Sequence, residues 1–332
     1  MLPSIDSFET FFTMVYNNDV AAVEDALATA RYDKKLIARL AKLSFMVWED
    51  FLNDFRQIEY ERNIPYELQE TAKFYALDLL VIADSLGYSD EELLRRIALI
   101  YLTFYMNIHY FDDHVEDPDK FHKKFRYSSS LPLVTQQGAA PFSFQLASLQ
   151  VLEKNLESLS MHHSFKTKGL KLIRDAYLRN MINMTSHLVK ERQGNMSHTK
   201  VMQVKNHGIF KAWADFTATL INVCFPEKAV EHAEFATALC SVGSLTQITD
   251  DLRDIQKDFH LGNINIFSAA IEGYGRNEAF RLIAQVYYNE EQVSRGILSR
   301  FMDEEKLQNI MFIPFYPFTI SKSESSRRPS AS

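Results

Sequence analysis

The chain has 332 residues, 46% of them hydrophobic, and a net charge of -7. That supplies ample apolar material for a core and lacks the basic footprint of a nucleic-acid binder, so no nucleic-acid partner is expected. Cys224 and Cys240 are the only cysteines, which excludes a disulfide framework and a cysteine-based zinc site and points to a reducing compartment.

No run approaches the roughly 18 apolar residues of a spanning helix. Residues 1–10 lack the basic and apolar regions of a signal peptide, so no membrane span and a cytoplasmic location are expected. The 25 Phe and 15 Tyr set against 10 Gly suggest a helical protein with a ring-rich interior.

From Ser7 to Arg62 apolar residues recur at three and four spacing, which predicts helix, with Phe45, Met46, Trp48, Phe51, Leu52 and Phe55 as core. A helix is expected from Tyr66 to Leu86, started at Pro65 and stopped at Gly87. Ser89 with Glu92 three residues on has the form of a capping box. The helix after it carries one apolar line, Leu93, Ile97, Tyr101, Phe104 and Ile108, whose next members are Asp112 and Glu116. Acids at a helix C-terminus oppose the macrodipole and cost a few tenths of a kcal/mol each unless a cation compensates.

Residues 119–145 are the least helical stretch and are read as a loop or lid. Helices are expected again from Phe144 to about Lys190, from Met196 to Cys224 with a break or close approach at Gly208, and from Pro226 onward. Beyond a turn at Leu261-Gly-Asn263-Ile-Asn265, residues 276–308 read as helix. No alternating strand pattern, repeat or linker is present. One all-α domain over residues 1–320, followed by a disordered tail at 321–332, is the simplest account.

The most informative stretch is Gln247-Ile-Thr-Asp250-Asp251-Leu-Arg-Asp254-Ile-Gln-Lys257-Asp258. Residues four apart stack on a helix, so Asp250, Asp254 and Asp258 form a carboxylate ladder. Leu245, Ile248, Leu252, Ile255 and Phe259 follow the same period on the other side. The ladder's line begins with Ala236, Cys240, Gly243 and Gln247, small or uncharged, as in a cavity wall that ends in a metal site. A solvated acidic edge is the plain alternative. Carboxylates about 6 Å apart repel by roughly 0.7 kcal/mol in water and more when sheltered, so a sheltered ladder needs cations.

Two acid clusters on separate helices suit a hard divalent cation and a phosphorylated ligand, because magnesium takes one or two carboxylates plus phosphate oxygens and water. The Glu-x-x-His pairs of a di-iron centre, the Walker phosphate loop and the dinucleotide-binding glycine pattern are all missing.

Tyr110-Phe-Asp112-Asp113-His-Val-Glu116-Asp117 resembles the aspartate-rich motif of class I terpene synthases, and Asp250-Asp251-Leu-Arg-Asp254-Ile-Gln-Lys257-Asp258 is similar to their second metal motif. The resemblance implies an isoprenoid-synthase-type helical bundle around a deep central pocket. It implies magnesium, as a three-ion cluster with manganese as a substitute, gripping the diphosphate of a linear isoprenoid. Asp112 and Glu116 would hold metal on one side, with Asp113 paired to a basic group. Asp250, Asp254 and Asp258 would hold it on the other. Lys257 keeps the family's lysine. The diphosphate-sensing arginine falls at Val204, with Lys205 beside it, and of the family's terminal Arg-Tyr pair only Tyr316 remains. Rings to shelter a cation are expected among Phe104, Tyr105, Phe111, Phe210, Trp213 and Phe216, with Trp213 and Phe104 foremost.

The stretch Gly243–Asp254 is also similar to the second aspartate motif of chain-elongating prenyl diphosphate synthases, and the ladder to squalene and phytoene synthases. The Arg-Arg-Gly after the first motif and the basic glycine-rich stretch of elongating enzymes are absent, and the first 60 residues contain no glycine. The expected function is therefore a terpene synthase converting one isoprenoid diphosphate, farnesyl ahead of geranylgeranyl or geranyl, to a hydrocarbon or alcohol. A prenyl-joining synthase and a silent helical binding subunit are the alternatives. A homodimer is compatible with all three.

Overall fold

The structure is a computed structural model that describes residues 5–57, 72–116, 140–163, 165–193, 198–226, 231–261, 265–316 and 318, with backbone alone at 5, 110–116, 140–144, 162, 185–193, 198–209 and 261. The described residues contain twelve α-helices, one 3-10 turn and no strand. None of their helices is long and apolar enough to cross a membrane. The Pro65 helix start, the 119–139 part of the loop and the tail from 319 lie outside the described residues.

By contacts the chain divides into two compact units, each discontinuous in sequence. One comprises Met1–Asp33, Asn195–Phe210 and Thr237–Ser332, and the other Lys34–Gly194 and Lys211–Ala236.

In the first unit, α1 (Ile5–Tyr16) and α2 (Val20–Ala28) are separated by a turn. The sequence pattern reads as continuous helix there. Asn18, at φ 56°, takes the left-handed conformation that asparagine tolerates, and Asp19 caps α2 by accepting from the Ala22 amide. α10 (Ile266–Tyr274) and α11 (Arg276–Leu298) meet at Gly275, whose φ of 76° suits glycine. α12 (Glu304–Met311) starts at the Asp303 cap, so the helix expected over 276–308 is two helices. Phe8 and Phe12 of α1 face Tyr287 of α11 and Phe267 of α10, with ring centroids 4.4 and 5.3 Å apart. Phe11 meets Phe315 edge-on. Burying each such ring is worth about 1.5–3 kcal/mol, and the tilted geometries add roughly 0.5–1.5 more.

The second unit is built around α5 (Glu91–Glu116), which packs on α3 (Lys34–Gln57), α4 (Tyr75–Ser85), α6 (Ala140–His163) and α7 (Thr167–Gln193). The side of α5 predicted to face inward does so, with Ile97, Tyr101, Phe104 and Ile108 buried. Asp90 caps this helix by accepting from the Glu92 and Leu93 amides, and Glu92 pairs instead with Arg96. The expected cap at Ser89 is therefore one residue early, because only Asp90 places its oxygen on the free amides. Trp48, Phe51, Leu52 and Phe55 of α3 are core as expected, whereas Phe45 and Met46 are exposed on its outer side. Asp54, also on α3, is buried and held by Lys154 at 2.5 Å and Asn155 at 2.9 Å, both on α6.

α8 (His198–Cys224) and α9 (His232–Leu261) contribute residues to both units. α8 runs through Gly208 without the break read from that glycine.

Among the described residues, no partner like those of Asp54 reaches Asp78. It sits in the apolar first turns of α4, where burial pushes its carboxyl from an ordinary 3.8 up to about 7. Below the lower value both folded and unfolded chains hold the proton. Between the two values the unfolded chain ionises first, so stability is lost as pH rises through that window. Urea titrations should therefore find Asp78→Asn gaining stability over the parent between pH 4 and pH 8, by a few kcal/mol at most. A gap that does not change with pH would show that Asp78 ionises freely in the folded protein.

Candidate functional site

The acid ladder lies on α9. Leu245, Ile248, Leu252 and Ile255 are buried, which turns the ladder edge away from the core. Phe259 was expected to extend the apolar side. It is 74% exposed, because the last turn of α9 runs past the packed residues.

Asp250 and Asp254 keep 47% and 28% of their side-chain surface, and Asp258 is partly accessible. Arg253 lies between the first two, donating from Nη2 to Asp250 and from Nε to Asp254 at 3.1 Å. Lys257 Nζ stands 3.7 Å from Asp254. A guanidinium and an ammonium thus offset the repulsion that stacked carboxylates generate.

Asp251 has a different part. Only 3% exposed, it accepts from the Ile266 amide at 2.7 Å and from Gln247 Nε2 at 2.5 Å. Asn265 donates from Nδ2 to the Asp251 carbonyl at 2.6 Å and to Asp258 Oδ2 at 2.8 Å, and its Oδ1 caps α10. Asp251 and Asn265 therefore hold the end of α9 against the start of α10 and aim the last acid of the ladder. Sequence reading found the motif and the turn but gave no role to Arg253 or Asn265. The signal was present, since an asparagine before a hydrophobic run is an N-cap signature.

The small residue Gly243 was read as part of a cavity wall. Its α-carbon is instead covered by the Phe210 ring, and a Cβ built there would stand 2.2 Å from Cδ1 of that ring. Here the small residue admits packing rather than leaving space.

Other expected site residues lie elsewhere. Positions 112, 113 and 116 fall on the last turns of α5, so Asp112, Asp113 and Glu116 are helical as predicted, but their side chains lie outside the described residues. The same holds for Lys205 on α8 and for Phe111. Phe104 is fully buried, with its ring centroid 4.2 Å from that of Phe216 and 5.6 Å from that of Tyr177. Trp213 is buried and donates from Nε1 to the Tyr101 hydroxyl at 2.6 Å. Tyr105 stays partly accessible. Tyr316 is 4% exposed, with its ring packed near Phe312 and its hydroxyl donating to the Asn309 carbonyl at 3.4 Å.

Among the described residues no three His, Cys, Asp or Glu side chains, those of the ladder included, are gathered closely enough to hold a metal ion on their own. The ladder is an open, oxygen-only edge with accessible carboxylates, which fits a magnesium ion that keeps waters and takes phosphate oxygens for its remaining positions.

Three substitutions test these packing and hydrogen-bond roles. Asp251→Ala leaves the Ile266 amide buried without a partner and should cost about 1–3 kcal/mol in urea denaturation, whereas Asp254→Ala should cost little. Gly243→Ala drives a methyl into the Phe210 ring and should cost about 1–3 kcal/mol. A stable Asp251→Ala variant beside an unstable Asp254→Ala variant would reverse the assignment of the two acids.

No family model matches this sequence, and no curated protein matches it. Solved structures do. A geranylgeranyl pyrophosphate synthetase from the archaeon Geoglobus acetivorans is 16% identical, covers 85% of this chain and 99% of its own, and superposes with a TM-score of 0.55. An isoprenoid synthase family member from Thermotoga neapolitana is 14% identical over 86% of this chain and 98% of its own, with a TM-score of 0.48. The all-α architecture is the isoprenoid-synthase fold.

Proposed function

We propose that this chain is a magnesium-dependent enzyme that ionises a linear isoprenoid diphosphate. The observation that carries the reading is the ladder on α9: three acids at four-residue spacing, each with accessible surface, on a helix end fixed by Asp251 and Asn265. A structural ion-pair edge would not need its last acid aimed by a buried asparagine. The isoprenoid-synthase fold supports the same reading.

In this proposal Asp250, Asp254 and Asp258 would hold magnesium from one helix, and Asp112 and Glu116 would hold it from another, with Asp113 paired to a basic group. The metal would supply Lewis-acid stabilisation to the departing diphosphate. Arg253, which clasps Asp250 and Asp254, carries beside the ladder a planar fork of donors suited to phosphate oxygens. Lys257, Lys205 and Tyr316 are the further diphosphate contacts of the proposal, the first as a point charge already beside the ladder. Trp213 and Phe104 belong to the ring-rich interior of the second unit that would shelter the cation from water.

Two fates of the cation follow. Capture by a second prenyl diphosphate agrees with the name of the Geoglobus acetivorans neighbour and with the likeness of Gly243–Asp254 to the elongating enzymes' second motif. It is the first to test. Conversion of a single substrate to a hydrocarbon or alcohol is favoured by the missing Arg-Arg-Gly.

Incubation with geranyl, farnesyl or geranylgeranyl diphosphate and magnesium, with and without isopentenyl diphosphate, tests the proposal by diphosphate release and mass spectrometry. Longer prenyl diphosphates formed only with isopentenyl diphosphate mark a joining enzyme, and a volatile product from one substrate marks a cyclase. Asp254→Ala and Asp112→Ala should each lower diphosphate release by about a hundredfold or more with thermal stability kept. Absence of release from the parent protein under every combination, with prenyl binding unchanged in Asp112→Ala, would mark a silent binding protein.

A further inference from the structure

Asn265 is 1% exposed at the start of α10, and both ends of its carboxamide are fully engaged. Oδ1 accepts from the Phe267 and Ser268 amides at 3.0 and 3.4 Å. Nδ2 donates to the Asp251 carbonyl at 2.6 Å and to Asp258 Oδ2 at 2.8 Å. Two N–H groups on one side and two oxygens on the other fix which way the carboxamide points. The Asp251 carboxylate, bonded to the Ile266 amide, fixes the backbone that carries it.

Capping alone does not call for this residue. Serine or threonine would cap α10 as well, but neither has a second arm that donates. That arm joins a buried, neutral donor to one oxygen of a partly accessible acid. Asp250 and Asp254 are held differently, by Arg253 and Lys257, cations that keep 39% and 64% of their side-chain surface. Those partners reach solvent, whereas Asn265 does not. Of the three acids of the ladder, Asp258 is thus the one whose carboxylate is oriented from inside the fold.

We propose that Asn265 sets the metal preference of the ladder: by holding Asp258 Oδ2 it leaves Asp258 to meet a cation through Oδ1 alone, which favours magnesium over calcium. This rests on the magnesium reading proposed above and names a specificity-determining residue for it. Magnesium demands a near-ideal octahedron and takes carboxylate oxygens singly beside its waters, whereas calcium takes more oxygens in looser geometry, often both from one carboxylate. A carboxylate with its second oxygen tied to a fixed donor suits the first ion and denies the second a ligand. The same donor sets the direction of Oδ1, which the stricter geometry of magnesium rewards and that of calcium does not.

Manganese(II) bound to the full-length protein, followed by electron paramagnetic resonance with magnesium or calcium chloride as competitor, tests this role. The parent should yield its manganese to magnesium at lower concentration than to calcium. Asn265→Ser keeps the cap and removes the arm. Its affinity for magnesium should fall by about tenfold while that for calcium is kept or rises. Asn265→Thr stands in if the serine variant fails to fold, and if both fail, Asp258→Ala should by itself erase the parent's preference. In an Asp258→Ala background, Asn265→Ser should leave the ratio of the two affinities unchanged, because the asparagine acts through that acid. A purely structural asparagine would instead lower both affinities together, with or without Asp258. Equal losses for both ions, an unmoved ratio, or a parent that holds calcium as tightly as magnesium overturns the role of Asn265 and leaves the magnesium reading standing. A parent that binds none of the three ions overturns both. One that binds magnesium but releases diphosphate from no prenyl substrate overturns ionisation and leaves the role of Asn265 intact.

Discussion

The buried carboxylate of Asp251 is the contact on which the acid ladder depends. It accepts the first amide of α10 while Asn265 closes back on its carbonyl and on Asp258. A helix end tied this way cannot fray, and fraying would scatter the last two acids of the ladder. Adjacent acids of one sequence motif thus have opposite physical circumstances. Asp251 is desolvated and satisfied by fixed donors, and Asp250 is half-exposed and satisfied by a partly exposed guanidinium.

Asp250 and Asp254 form an acidic edge whose charge is offset from within the same helix. Two carboxylates one turn apart repel, and Arg253 sits where it attenuates that repulsion for both. Ion pairs this accessible contribute at most about 1 kcal/mol each. Support and accessible charge are thereby divided between neighbouring residues, with Asp251 buried and bonded to fixed donors and Asp250 and Asp254 paired at the surface.

In the second unit the same division appears among its acids. Asp54 is paired to Lys154 and Asn155 and joins α3 to α6, and Asp215 is held low by Asn180 and Arg179 against the cost of its burial. Among the described residues no hydrogen bond or ion pair reaches Asp78, and burial raises its pKa. Burying a carboxyl without compensation disfavours folding at neutral pH.

The linear sequence determined the all-helical class, the inward line of α5 and the acid ladder, because each depends on a period of three to four residues that burial enforces locally. It also carried both aspartate motifs. It misplaced the breaks at residues 17–19 and 299–303, where Asn18, Asp19 and Asp303 are turn and cap residues within an apolar pattern that continues through them. Only the tertiary structure decided which acid of Asp250-Asp251 is support, that Gly243 admits the Phe210 ring, that Phe104 and Tyr316 are packed, and that burial raises the pKa of Asp78. The physical reason is that periodicity assigns a residue to a side of its helix, whereas its partners there come from other helices, distant in sequence, whose side chains decide whether a polar group is satisfied, covered or left facing space.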